Sequence, residues 1–346
     1  MESLKQPANL PRTVPKALVR GLAAGQSAKA CPARVIFFGT PEFALPTLEA
    51  LWSLQPKIFL AGVVTGPDKP VGREQKLAPS PVKLWADQHG LPALQPIRLA
   101  DRAFQAALVA LDANLGVIAS FGKIIPKGVL GLFPMGVLNV HPSLLPRWRG
   151  PSPIQAAIAA GDKETGVTIM LTDEKMDHGS ILAQERLALA DEETTASVRP
   201  LLAKRGASLL KNTLVSWISG EIRPTPQDES AATFSRMLTR ASGHIEWNSG
   251  VDEIARLVRA YDSWPGTFVF LPDGFRLKIL SARAVVGSAA PTAGVGTITE
   301  DSLGFPLIRA GDGALLLQRV QPEGKAPMEG DAFLRGHRNL IGQQLR

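Results

Sequence analysis

Residues 34–41 read RVIFFGTP. Four apolar residues run without polar alternation and are closed by glycine, so a strand built from them buries both of its faces, as a central strand of a parallel sheet does. Thr40 and Pro41 then offer a helix start, threonine as N-cap and proline in the first turn, with the helix expected over 42–53. The pattern repeats outward along the chain. Residues 58–64 (IFLAGVV) make a second buried strand, and further strands are expected at 115–120, 136–141, 165–171 and 181–189. Helices are expected at 81–89, 103–111, 152–160 and 194–217. Apolar strands alternating with helices predict an α/β domain over 34–220. It is Rossmann-like, a mostly parallel sheet with helices on both faces.

The texture changes after Gly220. Residues 221–234 carry Arg223-Pro-Thr-Pro226 and read as a linker. Beyond it come one helix (252–261) and five short strands punctuated by Gly, Pro and Asp, at 267–271, 276–284, 296–298, 306–309 and 314–320. Short strands at this spacing predict a small OB-like β-barrel domain over 235–346, with 287–294 as a loop inside it.

Of 346 residues, 45% are hydrophobic and 20% charged, and no uncharged apolar run is long enough to span a bilayer, so no membrane partner is expected. The single cysteine, Cys31, cannot close an internal disulfide, and no Cys/His cluster has zinc spacing, so no metal is expected. The net charge of +7 is concentrated at the start of the chain. Residues 1–34 hold six bases against one acid, residues 35–234 nineteen of each, and residues 235–346 thirteen against eleven. Net charge alone therefore gives no nucleic-acid footprint; any footprint is local. Residues 1–33, basic and broken by four prolines, lack the apolar segment of a secretory signal. They read as a disordered extension on a cytoplasmic protein, or as a transit peptide leading to an organelle matrix.

In an open α/β sheet, ligands bind beyond the carboxyl ends of the strands. Gly39-Thr40-Pro41 lacks G-x-G-x-x-G, which argues against a nicotinamide oxidoreductase. Residues 139–150 read NVHPSLLPRWRG. Asn139 and His141, two apart on a strand, leave the same face, and an amide beside an imidazole can stabilise an oxyanion and move a proton. The same pair can equally satisfy backbone groups at a strand end. Asp177, in DEKMDHG, can orient and charge-match the imidazole, or simply cap a turn.

Four segments, VIFFGTPEF (35–43), TGPDKPVGREQKLAPSPVK (65–83), NVHPSLLPRWRGPSPIQ (139–155) and GDKETGVTIMLTDEKMDHG (161–179), together resemble the methionyl-tRNA formyltransferase family. The likeness runs from about residue 34 to the C-terminus and includes Ile245-Glu-Trp247, Trp264-Pro265 and Gln321-Pro-Glu-Gly-Lys325. It implies transfer of the formyl group of 10-formyltetrahydrofolate to the amino group of methionine on initiator methionyl-tRNA, by a monomer. Asn139, His141 and Asp177 match the family's catalytic positions. Asn139 and His141 would donate toward the formyl oxygen, and Asp177 would take the proton lost by the amine. Ser143, Leu144, Leu145 and Pro146 would lie against the folate, with residues 121–125 bounding its pocket.

The resemblance also implies that the long basic loop 66–81 reaches the tRNA acceptor stem through Arg73, Lys76 and Lys69. Glu74 stands where the family commonly has glycine, which puts the loop geometry and the part played by Arg73 in question. Arg147 and Arg149, and in the C-terminal domain Arg236, Arg240, Arg256, Arg259 and Arg283, are further candidates for RNA contacts. Formyltransferases acting on an amino sugar or small amine share the Asn-x-His and Asp core. The 66–81 loop and the barrel speak for tRNA. The catalytic trio speaks against a non-catalytic RNA-binding protein on the same fold.

Overall fold

The computed structural model describes residues 33–72, 74–286 and 293–345. Residues 1–32, and with them Cys31 and the expected extension, lie outside the described residues, as do Arg73 and most of the loop 287–294. The N-terminal half holds strands β1 (Ala33–Gly39), β2 (Ile58–Val64), β3 (Lys69–Val71), β4 (Lys76–Ala78), β5 (Ala93–Leu94), β6 (Leu115–Ala119), β7 (Val137–His141), β8 (Glu164–Leu171) and β9 (Ile181–Ala188). Its helices are α1 (Leu45–Ser53), α2 (Pro81–Gln88), α3 (Arg102–Ala110), α4 (Lys127–Leu130), α5 (Pro153–Ala160) and α6 (Thr195–Ile218).

Seven strands form one sheet in the order β5-β2-β1-β6-β7-β8-β9, parallel from β5 to β7 and antiparallel at β8 and β9. The unbroken apolar strands have the expected consequence. In β1, Val35 and Phe37 pack on one face with Leu48, Leu51, Leu202 and Leu210. Ile36 and Phe38 pack on the other with Phe104, Leu108, Val129 and Phe133. From β1 the chain steps out to β2 and β5 on one side and returns as β6 on the other, so the strand order switches beside β1.

One start signal is used differently from its expectation. Thr40 caps no helix: its hydroxyl accepts the Gly66 N–H at 3.2 Å. A 3-10 turn over Glu42–Ala44 follows Pro41, and α1 begins only at Leu45. A cross-loop bond to the start of the 66–81 segment has taken the cap oxygen.

The C-terminal half contains α7 (Val251–Ala260), β10 (Thr267–Phe270), β11 (Arg276–Val286), β12 (Ile298–Glu300), β13 (Pro306–Arg309), β14 (Gly313–Pro322), β15 (Met328–Glu329) and α8 (Gly330–Gly336). Its antiparallel sheet runs β10-β11-β14-β13-β12, with β15 added on β14, around a separate core that includes Ile254, Ile279, Leu315, Leu317 and Phe333. The register of β11 shifts twice between Ile279 and Ala282, the kind of bulge that curls a sheet toward a barrel. Six strands form this sheet, one more than expected, because the two-residue β15 is too short to signal itself. The halves are tied by Arg256 Nε on the Ala159 carbonyl (3.0 Å) and Thr195 Oγ1 on the Ala260 carbonyl (2.6 Å).

Candidate active site

β7 lies one strand beyond β6, so its carboxyl end opens beside the switch in strand order, where open α/β sheets bind ligands. Leu138 and Val140 point into one core. Period-two geometry sends Asn139 and His141 to the opposite face. His141 is 4% exposed, and Asn139 is partly open.

Asp177 comes from the loop between β8 and β9, and its backbone is left-handed (φ 48°). This loop doubles back tightly: a Cβ on Gly179 would lie 1.8 Å from the Leu171 carbonyl oxygen, so only glycine fits there. The turn aims the Asp177 carboxylate at β7. Its Oδ1 is 3.4 Å from Asn139 Nδ2 and 3.6 Å from His141 Nδ1, and its Oδ2 accepts the Gly150 N–H at 2.8 Å. The sequence-predicted trio is thus brought together, along with a backbone donor that the sequence did not reveal.

The ring of His141 is oriented from its far side. Nε2 lies 3.1 Å from the Trp148 carbonyl oxygen. A carbonyl only accepts, so Nε2 carries a hydrogen and Nδ1 faces the carboxylate. With no second hydrogen, a lone pair on Nδ1 would confront Oδ1; with one, the two become an ion pair. The arrangement is suited to holding one mobile proton between them. Donation from Nε2 to any other acceptor requires the ring to leave Trp148.

Trp148 and Gly150 can offer these groups because the segment after β7 is folded sharply. Trp148 is left-handed (φ 61°), and Gly150 has φ 109°, where a Cβ would meet the Ser235 carbonyl oxygen at 2.7 Å. Arg149 between them is 2% exposed and does not face solvent or RNA as its sequence context suggested. Its guanidinium grips both carboxylate oxygens of Glu229 (2.7 and 3.0 Å) and the side-chain oxygen of Gln227 (3.0 Å). Arg147 and the Trp148 indole both bond Asp162.

Glu229 and Gln227 belong to the stretch 221–234, read from sequence as a plain linker. The Arg149 guanidinium holds the Glu229 carboxyl below its ordinary value, against a smaller opposing effect of burial. A lowered folded-state value means stability that is present above the unfolded carboxyl value, about 4.3, and lost as pH falls through the folded value. Glu229→Gln should therefore melt at a lower temperature than the parent above about pH 5. The gap should close on further acidification, as read by calorimetry across that range.

Of the segment 143–146, Ser143 and Leu145 are turned inward. The Ser143 hydroxyl donates to the Arg147 carbonyl (2.7 Å), and Leu145 is 3% exposed. Leu144 and Pro146 remain partly open. Phe121 and Ile125 are buried, whereas Ile124 is exposed. Lys123 Nζ donates to the carbonyls of Pro96 and Ile97, which sets exposed Ile97 next to this loop.

The basic loop forms a hairpin of β3 and β4, with Lys69 opposite Ala78. Its base is fixed by the buried Thr65–Ser80 hydroxyl pair (2.7 Å) and by Gln95 on the Gly66 carbonyl (2.9 Å). Lys69 is exposed at the base end of the hairpin and Lys76 beside its tip; Arg73 lies outside the described residues. Among the described residues of the tip, Gly72 and Gln75 are left-handed and Glu74 is not. Glu74 pairs with Lys76 at 2.6 Å, both largely exposed. An exposed pair of this kind contributes at most about 1 kcal/mol. In the C-terminal half, Arg236, Arg240 and Arg283 are exposed. Arg256 and Arg259 instead bond the carbonyls of Ala159 and Glu193 across the junction of the halves. Among the described residues, no group of three His, Cys, Asp or Glu is placed to hold a metal ion.

Comparison with known proteins bears on these geometries. A family model described as formyl transferase matches residues 33–214, and one described as formyl transferase, C-terminal domain, matches residues 237–338. The methionyl-tRNA formyltransferase of Chloroflexus aurantiacus (strain ATCC 29366 / DSM 635 / J-10-fl) is 45% identical over 304 residues, covering 88% of this chain and 96% of that protein. The protein of the same name from Myxococcus xanthus (strain DK1622) is 40% identical over 311 residues, covering 90% and 97%. Among solved structures, WlaRD, a sugar 3N-formyl transferase crystallised with dTDP and 5-N-formyl-THF, aligns with a TM-score of 0.60 at 18% identity, over 85% of this chain and 99% of that one. HypX from Aquifex aeolicus in complex with tetrahydrofolic acid aligns at 0.57 and 18%, over 88% of this chain and 47% of that one. At such identities these two structures speak for the shared fold.

Proposed function

The chain belongs to the formyltransferase family, and within it to the methionyl-tRNA formyltransferases, and on that footing we propose how its own residues carry the reaction. The enzyme transfers a formyl group to the free amino group of methionine on initiator methionyl-tRNA, giving N-formylmethionyl-tRNA for translation initiation. The donor in this reading is 10-formyltetrahydrofolate. Exposed Ile97 and Ile124 on adjoining loops, with Leu144 and Pro146 across the carboxyl ends of β6 and β7, suit a flat, partly apolar donor.

What supports the assignment of roles is the convergence of Asn139, His141 and the Gly150 N–H on one carboxylate. The methionyl nitrogen attacks the formyl carbon, and negative charge develops on the formyl oxygen. The Asn139 amide has a second hydrogen to direct at that oxygen, a contact worth about 3–4 kcal/mol when well placed. Asp177 takes the proton shed by the attacking nitrogen and shares it with His141 Nδ1, so a positive ring stands beside the oxyanion. Collapse breaks the bond from the formyl carbon to the donor nitrogen, which is protonated as it leaves. Proton balance is kept if the proton taken from the amine is the one returned.

Lys69 and Lys76 on the hairpin, Arg73 between them in sequence, and the exposed arginines of the C-terminal half hold the acceptor arm. Their phosphate contacts release counterions, so tRNA binding weakens with added salt. Among the described residues no helix is long and apolar enough to cross a membrane. We place the enzyme, as a monomer, in the cytoplasm, with an organelle matrix as the alternative should residues 1–33 act as a transit peptide. The test is direct: incubate the purified chain with 10-formyltetrahydrofolate and charged initiator or elongator tRNA, then assay for the formylmethionyl product. Product from the initiator alone is expected, and its absence would overturn the reading.

A further inference from the structure

The amide of Gln227 uses every polar function it has. Its Nε2 donates to the carbonyl oxygens of Asp177 (2.9 Å) and Gly179 (2.7 Å), and its Oε1 accepts from Arg149 Nε (3.0 Å). Two acceptors on one side and a guanidinium on the other fix which end of the amide is nitrogen. The clamped carbonyls are that of left-handed Asp177 itself and that of Gly179 two residues on, and a left-handed backbone at a non-glycine residue is kept only when its surroundings enforce it.

Gln227 sits within a strap. Thr225 exchanges backbone bonds with Ile181 (2.8 and 2.9 Å), next to the Asp177 loop. Further on, Thr233 and Ser235 bond the backbone of Pro146, Arg149 and Ser152. One stretch of chain is thereby stitched to both loops that supply the site: the one carrying the Trp148 carbonyl and Gly150 N–H, and the one carrying Asp177.

We propose that Gln227 is a positioning residue for formyl transfer: by clamping the carbonyls of Asp177 itself and of Gly179, it holds the Asp177 carboxylate against His141 and Asn139. The inference rests on the reading that Asp177 acts in the reaction. The Gln227 amide is engaged by Asp177, Gly179 and Arg149, and it acts through Asp177.

Two variants of the full chain separate positioning from bulk support. Gln227→Ala removes the clamp. Gln227→Glu keeps the oxygen that receives Arg149 but cannot donate to the two carbonyls, and it repels them. Both should lose about 10- to 100-fold in kcat, as a slight misplacement of a catalytic group does. KM for tRNA and donor should stay within about twofold, and the melting temperature should stay near that of the parent. Gln227→Glu with parental kcat would overturn the proposal, since Arg149 would then be the only partner that matters. Failure of both variants to fold, or a rate loss matched by the loss of folded protein, would overturn it too by assigning a purely structural role. Asp177→Asn is run alongside. If that variant is inactive while the Gln227 variants are normal, only this inference fails. If Asp177→Asn is itself near-normal, the reading beneath it fails.

Discussion

Asp177→Asn is expected to slow formyl transfer by about 100- to 10,000-fold, the range for losing a positioned general base, while the protein folds and binds both substrates as before. The substitution is nearly isosteric. An asparagine oxygen can still accept the Gly150 N–H that now reaches Oδ2 at 2.8 Å. The amide nitrogen then falls beside His141 Nδ1 and donates to it, which fixes the imidazole as neutral between two protein partners, with Trp148 on the other side. Proton acceptor and positive ring are lost together. The loss should appear in single-turnover rates at saturating tRNA and donor, with little change in equilibrium donor binding. Near-normal single-turnover rates would mean that Asp177 only caps its turn.

The sheet was legible because burial on both faces leaves no room for polar residues. RVIFFG and IFLAGVV therefore announce buried parallel strands by composition, without any partner in view. The pairing of Asn139 with His141 was legible for a similar reason, since period-two geometry fixes their common face. Elements whose identity depends on distant partners could not be read. The hairpin of β3 and β4 has three residues on each side and is pinned by Thr65, Ser80 and Gln95. The two-residue strands β5 and β15 owe their existence to neighbours already in place.

The stretch 221–234 is the sharpest case. Prolines, exposed acids and no periodicity make it look like a passive connection, and local signals could not say more. Its function lies in bonds to residues far away in sequence: Thr225 to Ile181, Gln227 to Asp177 and Gly179, Glu229 to Arg149. Arg149 was misleading for the same reason. An arginine beside Trp148 and Gly150 in a loop looks exposed until the acid that buries it arrives from 80 residues along the chain.

Asn139→Ala should cost about 100- to 1,000-fold in kcat, the loss found when one oxyanion donor is removed, with only a small effect on stability. The two effects separate because of how little the fold asks of this side chain. Asn139 is partly open, and among the described residues its amide bonds only Asp177, at a long 3.4 Å. Neighbouring Leu138 and Val140, fully buried, hold the strand without it. Truncation therefore leaves β7 in register and the His141–Asp177 pair intact, and removes the one side-chain hydrogen able to meet developing charge. Asn139→Asp is the harsher change, since it sets a second carboxylate against Asp177 and puts negative charge where the oxyanion forms. Single-turnover formylation, with donor affinity measured by titration, reads both variants. If Asn139→Ala keeps a fifth or more of the parental rate, the oxyanion donor is not Asn139. His141 would then have to release the Trp148 carbonyl to serve in its place, and substitutions that loosen the Trp148 turn should raise the rate instead of lowering it.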